Sequence, residues 1–202
     1  MRLLPLLIAL LCTMSVASAD VMYEVTVNTS TISGTGGSLD FQFNPGPLVT
    51  QAASLQILGF SSNGLLAGSP LPTGDVSGDL PSTLTFDNLT GYNDYFEGFK
   101  FGSSLVFDLR LYGPAVSSPD KTSTSGSTFA FSMFSDAAGT LPVLTTDTTD
   151  GFAFTVNVNL NGTTTVTNFS KQTSVVPEPT GFVLMGTVMA LMVTFRRFQT
   201  KR

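Results

Sequence analysis

No histidine and no tryptophan occur among the 202 residues of this chain, and its one cysteine, Cys12, lies near the N-terminus. Each absence closes a class of chemistry. Without histidine there is no Ser-His-Asp or Cys-His catalysis and no His-ligated zinc. Residues 20–176 hold neither a thiol nor a disulfide, so they need no redox handling in any compartment. Bases are scarce too. Residues 20–176 carry thirteen acids against four bases (Lys100, Arg110, Lys121 and Lys171), a net charge of −9. Such a body repels nucleic acid and anionic lipid, so no nucleic-acid partner is expected. Amphipathic helices of useful length and fixed-period repeats are also missing, which argues against solenoids and propellers.

The two ends carry clear signals. Residues 1–19 read as a secretory signal peptide. Arg2 supplies the positive start and residues 3–11 the apolar region. Ala17 and Ala19 are the small residues of a signal-peptidase site, which makes Asp20 the mature N-terminus. Cys12 follows Leu11, where a lipoprotein signal wants a small residue. At the other end stand Val176-Pro177-Glu178-Pro179, an uncharged stretch over residues 180–195, and the cations Arg196, Arg197, Lys201 and Arg202. The two prolines stiffen their segment and push Val176 and Glu178 toward extended conformations, predicting an extended, unpaired segment. As a helix, residues 180–195 reach roughly 24 Å. That is short for a bilayer core of about 30 Å, but enough where the membrane thins and the arginines snorkel. The cations, Arg196 and Arg197 first, then act as the cytoplasmic stop, and the body lies outside.

This arrangement resembles the PEP-CTERM sorting signal, carried by substrates of exosortases. The resemblance covers the last 27 residues: the V-P-E-P motif, the short apolar helix and the basic cluster, in that order. It implies export, retention by the membrane through the tail, and cleavage near Pro177, Glu178 and Pro179 by a membrane-embedded exosortase. The stretch over residues 37–46, Gly37-Ser38-Leu39-Asp40-Phe41-Gln42-Phe43-Asn44-Pro45-Gly46, also resembles the body of a PEP-CTERM group without assigned activity.

Between the ends the chain alternates with a period of two, the mark of strands with one buried face. Val21, Tyr23, Val25 and Val27 form one such run, and Leu39, Phe41 and Phe43 another. Residues 54–60 are more continuously apolar; Leu84 and Phe86 mark a short strand. Then come Leu105, Phe107, Leu109 and Leu111; Phe129, Phe131 and Met133; and Phe152, Phe154, Val156, Val158 and Leu160. Gly, Pro, Asn and Ser break the runs at the spacing of an all-β sandwich. The expectation is an antiparallel, jelly-roll-like β-sandwich over residues 20–170, a linker over 171–176 and the sorting signal over 177–202. A signal helix precedes it, and one transmembrane helix, 180–195, follows. Asn161-Gly162 predicts a type I′ hairpin that pairs Val158 with Thr165 and Phe154 with Phe169, both phenylalanines facing the core.

Two constellations could carry chemistry. Tyr92, Tyr95, Phe96, Phe99 and Phe101 surround Asn93, Asp94 and Glu97. Tyr92, Tyr95, Asp94 and Glu97 are the candidate ligand contacts, able to stack on and hydrogen-bond a sugar; the plainer reading puts Phe99 and Phe101 in the core. Acids and amides gather at Asp75 and Asp79, at Asp87, Asn88, Asn93, Asp94 and Glu97, and at Asp147 and Asp150. The preferred reading is solvated loop acids, with no metal, no cofactor and no catalytic residue. Calcium, which takes six to eight oxygens from such loops, is the alternative. Asn28, Asn88, Asn161 and Asn168 each begin an N-x-S/T match, a chance product of the Asn and Thr content.

The function expected from all this is an exported, exosortase-sorted envelope or extracellular-matrix protein that is not an enzyme. Its expected partners are signal peptidase, exosortase and the membrane, with exopolysaccharide as a candidate. A carbohydrate-binding or adhesive module is the alternative, and a carboxylate-based hydrolase ranks below both. Mass spectrometry of the exported protein should find Asp20 at its N-terminus; a lipid on Cys12 would overturn the signal-peptide reading.

Overall fold

A computed structural model describes residues 20–178. Ala17, Ala19, Pro179, the span 180–195, Arg196 and Arg197 lie outside the described residues, and with them both terminal helices. The alternating runs become thirteen strands in two sheets. One sheet holds β1 (Val21–Asn28), β3 (Ser54–Ser62), β6 (Val76–Ser77), β7 (Leu84–Asp87), β9 (Ser104–Tyr112) and β13 (Thr173–Pro177). The other holds β2 (Gly36–Pro45), β4 (Leu65–Leu66), β5 (Leu71–Thr73), β8 (Asp94–Lys100), β10 (Ser127–Phe134), β11 (Phe152–Val158) and β12 (Thr164–Asn168). The first runs β13-β1-β9-β3-β7-β6 and the second β12-β11-β10-β2-β8-β4, with β5 also on β8. All these strand pairs are antiparallel, which supports the all-β sandwich. One four-residue helix, α1 (Pro114–Ser117), follows β9.

The core lies between the sheets. Tyr23, Val25 and Val27 of β1 and Leu105, Phe107, Leu109 and Leu111 of β9 are buried there. They meet Leu39, Phe41 and Phe43 of β2 and Phe129, Phe131 and Met133 of β10. Phe107 reaches across from the first sheet to Phe41 and Phe131 of the second, each with ring centroids 5.5 Å away. Phe41 and Phe131 are themselves 4.9 Å apart. Phe154 extends the cluster, 5.8 Å from Phe131 and 5.7 Å from Phe129. Such aromatic pairs add about 0.5–1.5 kcal/mol each beyond the area they bury.

Three expectations need correction. The first is the hairpin. Val158 pairs with Thr164, Val156 with Val166 and Phe154 with Asn168, one residue off the expected register. The Asn159 N–H donates to the Thr163 carbonyl at 2.8 Å, and the Gly162 N–H to the Asn159 carbonyl at 3.0 Å. Leu160, Asn161 and Gly162 therefore form a three-residue loop, with only Gly162 at positive φ (79°). A type I′ turn needs positive φ at Asn161 as well. Instead Asn161 Oδ1 accepts from the Thr163 N–H and hydroxyl at 3.2 and 2.7 Å, the Asx-type local bond that competes with it. A one-residue slip exchanges the faces of a strand. Val166 turns to the core, while Thr165 and Thr167 face out and Phe169 falls beyond β12. Leu160, expected inside, is exposed in the loop.

The second correction concerns the linker. Thr173–Pro177 is a strand that closes the edge of β1, pairing Val25 with Val175 and Tyr23 with Pro177. The third follows from it: Pro177 and Glu178 are paired, with the Glu178 N–H donating to the Met22 carbonyl at 2.9 Å. The physical reason is the bare edge that β1 would otherwise present. Val175 also packs against the core.

Replacing Phe107 by alanine should cost about 3–5 kcal/mol in urea unfolding of the full chain, because both sheets lose contacts at once. Leu160→Ala should stay within about 0.5 kcal/mol of the parent, since the loop buries little of it.

Candidate functional site

Strand β8 decides the fate of the candidate ligand contacts, because its side chains alternate between two environments. Tyr95, Glu97 and Phe99 point into the sandwich and are buried; Asp94, Phe96 and Gly98 lie on the outer face. The four residues grouped by the sequence therefore do not form one surface. The Tyr95 hydroxyl donates to Glu97 Oε2 at 2.7 Å and accepts from the Leu80 N–H at 3.1 Å. Burial pushes the Glu97 carboxyl above its ordinary range; the Tyr95 hydrogen bond opposes this and the Asp79 charge adds to it. The Tyr95 hydroxyl is raised too, by burial first and then by Glu97. This pair is a satisfied internal contact and offers nothing to a ligand. Phe99 and Phe101 are core residues, as the plainer reading had it. Of the aromatic stretch, only Tyr92 is widely exposed.

The loop amides are taken as well. Asn93 is fully buried; its Nδ2 donates to the Phe43 and Thr90 carbonyls, and its Oδ1 accepts from the Asp75 N–H at 2.8 Å. Asn88 donates to the Gln51 carbonyl and Ser127 Oγ and accepts from the Ala53 N–H. Asp147 accepts from the N–H groups of Thr149, Asp150 and Phe152, and these backbone bonds hold its carboxyl below the usual range. Asp87 is engaged by the Ser54 hydroxyl. Among the described residues, no three His, Cys, Asp or Glu side chains come together as a metal cluster. Asn88, Asn93, Asp87 and Asp147 of the named loops are thus engaged within the protein.

Asp20 and Glu178, both named for processing, sit on the first sheet's surface. Arg110 donates from Nε and Nη2 to Asp20 Oδ2 at 2.8 and 2.6 Å, and stacks its guanidinium 4.8 Å from the Tyr112 ring centroid. Both partners are about a third exposed, so this pair contributes at most about 1 kcal/mol.

The more unusual chemistry lies on the outer face of the second sheet and includes two residues the sequence did not single out. Asp40 of β2 and Asp94 of β8 are close enough for their carboxyl groups to share a hydrogen bond. Asp40 is buried, and its carboxyl is pushed up to about 9. Burial is the largest cause; the hydrogen bond and repulsion from Asp94 add to it, and the Gln42 amide works against it. Ser132 of β10 stands across the strand pair from Asp40. Tyr92 borders the group, its hydroxyl pushed up to about 12 by partial burial and then by Asp94 and Asp40. In sequence Asp40, between Leu39 and Phe41, and Ser132, between Phe131 and Met133, are merely polar positions between core residues. Only the pairing of β2 with β8 and β10 brings them to Asp94.

No known protein family, no curated protein and no solved structure matches the chain.

The shifted Asp40 implies a pH dependence whose sign is fixed. Its folded value, about 9, lies above the ordinary 3.8, so the native state keeps a proton that the unfolded chain releases. That contribution is full below about pH 4 and is lost as pH rises toward about 9. The carboxylates with depressed values, such as Asp147, act in the opposite sense but only at the acid end. In chelator-treated buffer the melting temperature should therefore fall between pH 5 and pH 9. Asp40→Asn should flatten that slope and raise the midpoint at pH 8 by about 2–4 °C for each kcal/mol of repulsion removed. An unchanged slope would remove Asp40 as its source.

Proposed function

We propose that the chain is an exported envelope or extracellular-matrix protein, sorted through its tail and without catalytic activity of its own. The observation that carries this is the three-part C-terminus: Val176-Pro177-Glu178-Pro179, the uncharged span 180–195, and Arg196, Arg197, Lys201 and Arg202. Its resemblance to the PEP-CTERM signal gives signal peptidase, exosortase and the membrane as partners, and a periplasmic body before final placement at the cell surface or outside it. The signal peptide read over residues 1–19 supports the same route. The body is in keeping with that route, being acidic and free of cysteine and histidine. The chain passes repeatedly from one sheet to the other, which favours a jelly-roll-like arrangement within the sandwich. Anchoring is assigned to residues 180–195, the uncharged span that precedes Arg196 and Arg197 in the sequence.

One observation favours a carbohydrate-binding alternative. A groove of about 350 Å³ runs beside β10 and β11, lined by Ser125, Thr128, Asn157, Asn159 and Leu160. Hydroxyls and amides beside an exposed leucine suit a glycan better than the aromatic stretch does, where only Tyr92 is open.

A fractionation blot in a host with its exosortase tests the sorting reading. Changing Pro177, Glu178 and Pro179 to alanine should leave uncut, membrane-held precursor. Deleting residues 180–202 should release the protein unprocessed. Processing of the alanine variant at the parent level would overturn the reading, whereas binding on a glycan array, lost in Asn157→Ala, would favour the alternative.

A further inference from the structure

The chain leaves the body at one end of the sandwich, and it leaves without slack. Pro177 pairs with Tyr23, and the Glu178 N–H donates to the Met22 carbonyl, so the chain is held to β1 up to the last described residue. Strand pairing gathers three loops at that same end. Leu111 pairs with Val21 and Tyr112 with Ser54, which follows the loop over 46–53. Ser54 in turn pairs with Asp87, which precedes the loop over 88–93. Ser127 pairs with both Pro45 and Val158, and Val158 precedes the hairpin loop over 159–163. The Tyr23 hydroxyl meets that of Thr164, just after this loop, at 2.6 Å.

These loops turn apolar side chains to the outside. Leu48, Val49, Leu89, Tyr92 and Leu160 are 49–71% exposed. Exposed apolar residues scattered singly are ordinary, but five gathered on the loops of one end mark a contact surface. Residues 46–53, 88–93 and 159–163 hold no charge, although the body as a whole is strongly acidic. The long loop over 135–151, at the opposite end, carries Asp136, Asp147 and Asp150.

We propose that this end of the body docks on a membrane surface of neutral phospholipid headgroups, with Leu48, Val49, Leu89, Tyr92 and Leu160 entering the interface. The docking rests on residues 180–195 being the membrane anchor proposed above. Pro179 alone separates Glu178 from that span, so the body stands within about 7 Å of it. A helix of roughly 24 Å is short for a core of about 30 Å, which draws the body inward and leaves it no room to stand off. Leucine and valine gain by leaving water, and tyrosine suits the headgroup level, where its ring is covered and its hydroxyl wet. The charges at the border select neutral lipid. Asp87, Asp94 and Glu178 flank the loops, Arg110 is held by Asp20, and Lys121 stands next to Asp120. No basic cluster is left to hold anionic headgroups.

The chain has no tryptophan, so Leu160→Trp introduces a single fluorescent reporter. The full chain with this substitution, reconstituted with phosphatidylcholine vesicles, should float with them. Its emission should shift to the blue and fall at least about twofold when the lipid carries bromines near the glycerol, as for a side chain about 5–10 Å into the boundary. Leu141→Trp, in the loop at the opposite end, should keep its emission. Adding Leu48→Ser and Val49→Ser to Leu160→Trp should restore most of the lost emission; quenching unchanged in that variant would mean a body held near lipid by its tail alone and would overturn the docking. Circular dichroism checks the fold of each variant. Floating without quenching overturns the docking and leaves the anchor standing, whereas failure to float overturns both. A reporter shifted to the blue but unquenched would put a protein partner on these loops and equally overturn docking on lipid.

Discussion

The contact of Phe107 with Phe41 and Phe131 is what the rest of the molecule depends on. Phe107 belongs to β9, near the middle of the first sheet, and its two partners to adjacent strands of the second. Neither sheet can bury its apolar face without the other, because an antiparallel sheet covers only one side of itself. The body has no disulfide to share the task. Aromatic residues spaced two apart along each strand therefore fill the interior and fix how the sheets face each other. Every outward side chain, including those that could meet a ligand, is placed by that inward packing.

The strands themselves were legible because burial on one face imposes a period of two, and nearly all the alternating runs appear as strands. Their neighbours were not. β2 lies between β8 and β10, far apart in the chain, and nothing local in Gly37 to Gly46 announces either partner. Asn161-Gly162 was readable as a turn, but not its type. Asn161 accepts from both the N–H and the hydroxyl of Thr163, and the loop takes three residues where a type I′ turn would take two. β13 was missed because two valines and a threonine before a proline look like a linker. What makes them a strand is the open edge of β1, which lies about 150 residues earlier in the chain.

The candidate site was less legible than the fold, and for a related reason. Proximity in sequence grouped Tyr92, Asp94, Tyr95 and Glu97, but alternation in β8 sends neighbours to opposite sides of a sheet. Tyr95 and Glu97 satisfy each other inside, while Asp94 finds Asp40 outside. A buried carboxylate beside a second one is an expensive arrangement, and it contrasts with the loop acids. Asp120 and Asp147 sit under backbone N–H groups that favour their charged forms, and Asp136 is held first by the Thr140 hydroxyl and then by backbone N–H groups. Ordinary solvated acids are thus recognisable by their caps, and Asp40 is set apart by lacking one.

The edge formed by β13 shows how the body ends and the tail begins. Even-numbered residues of this strand face β1: Glu178 donates to Met22, and Asn28 donates to Gln172 on the same ladder. Odd-numbered residues turn their backbone groups to the free side. There the Thr173 N–H is given to the Ser170 carbonyl at 3.3 Å, and the Thr173 carbonyl accepts from Asn168 Nδ2 at 2.7 Å. Pro177 has no N–H at all. Val175 is left as the one residue of the strand with both backbone groups open on that side. A free edge so reduced cannot template a further strand, which is how natural sheets avoid joining edge to edge. Pro177 therefore acts in two ways at one position. It leaves no N–H on the free edge near the end of the strand, and it opens the motif proposed above as a sorting signal.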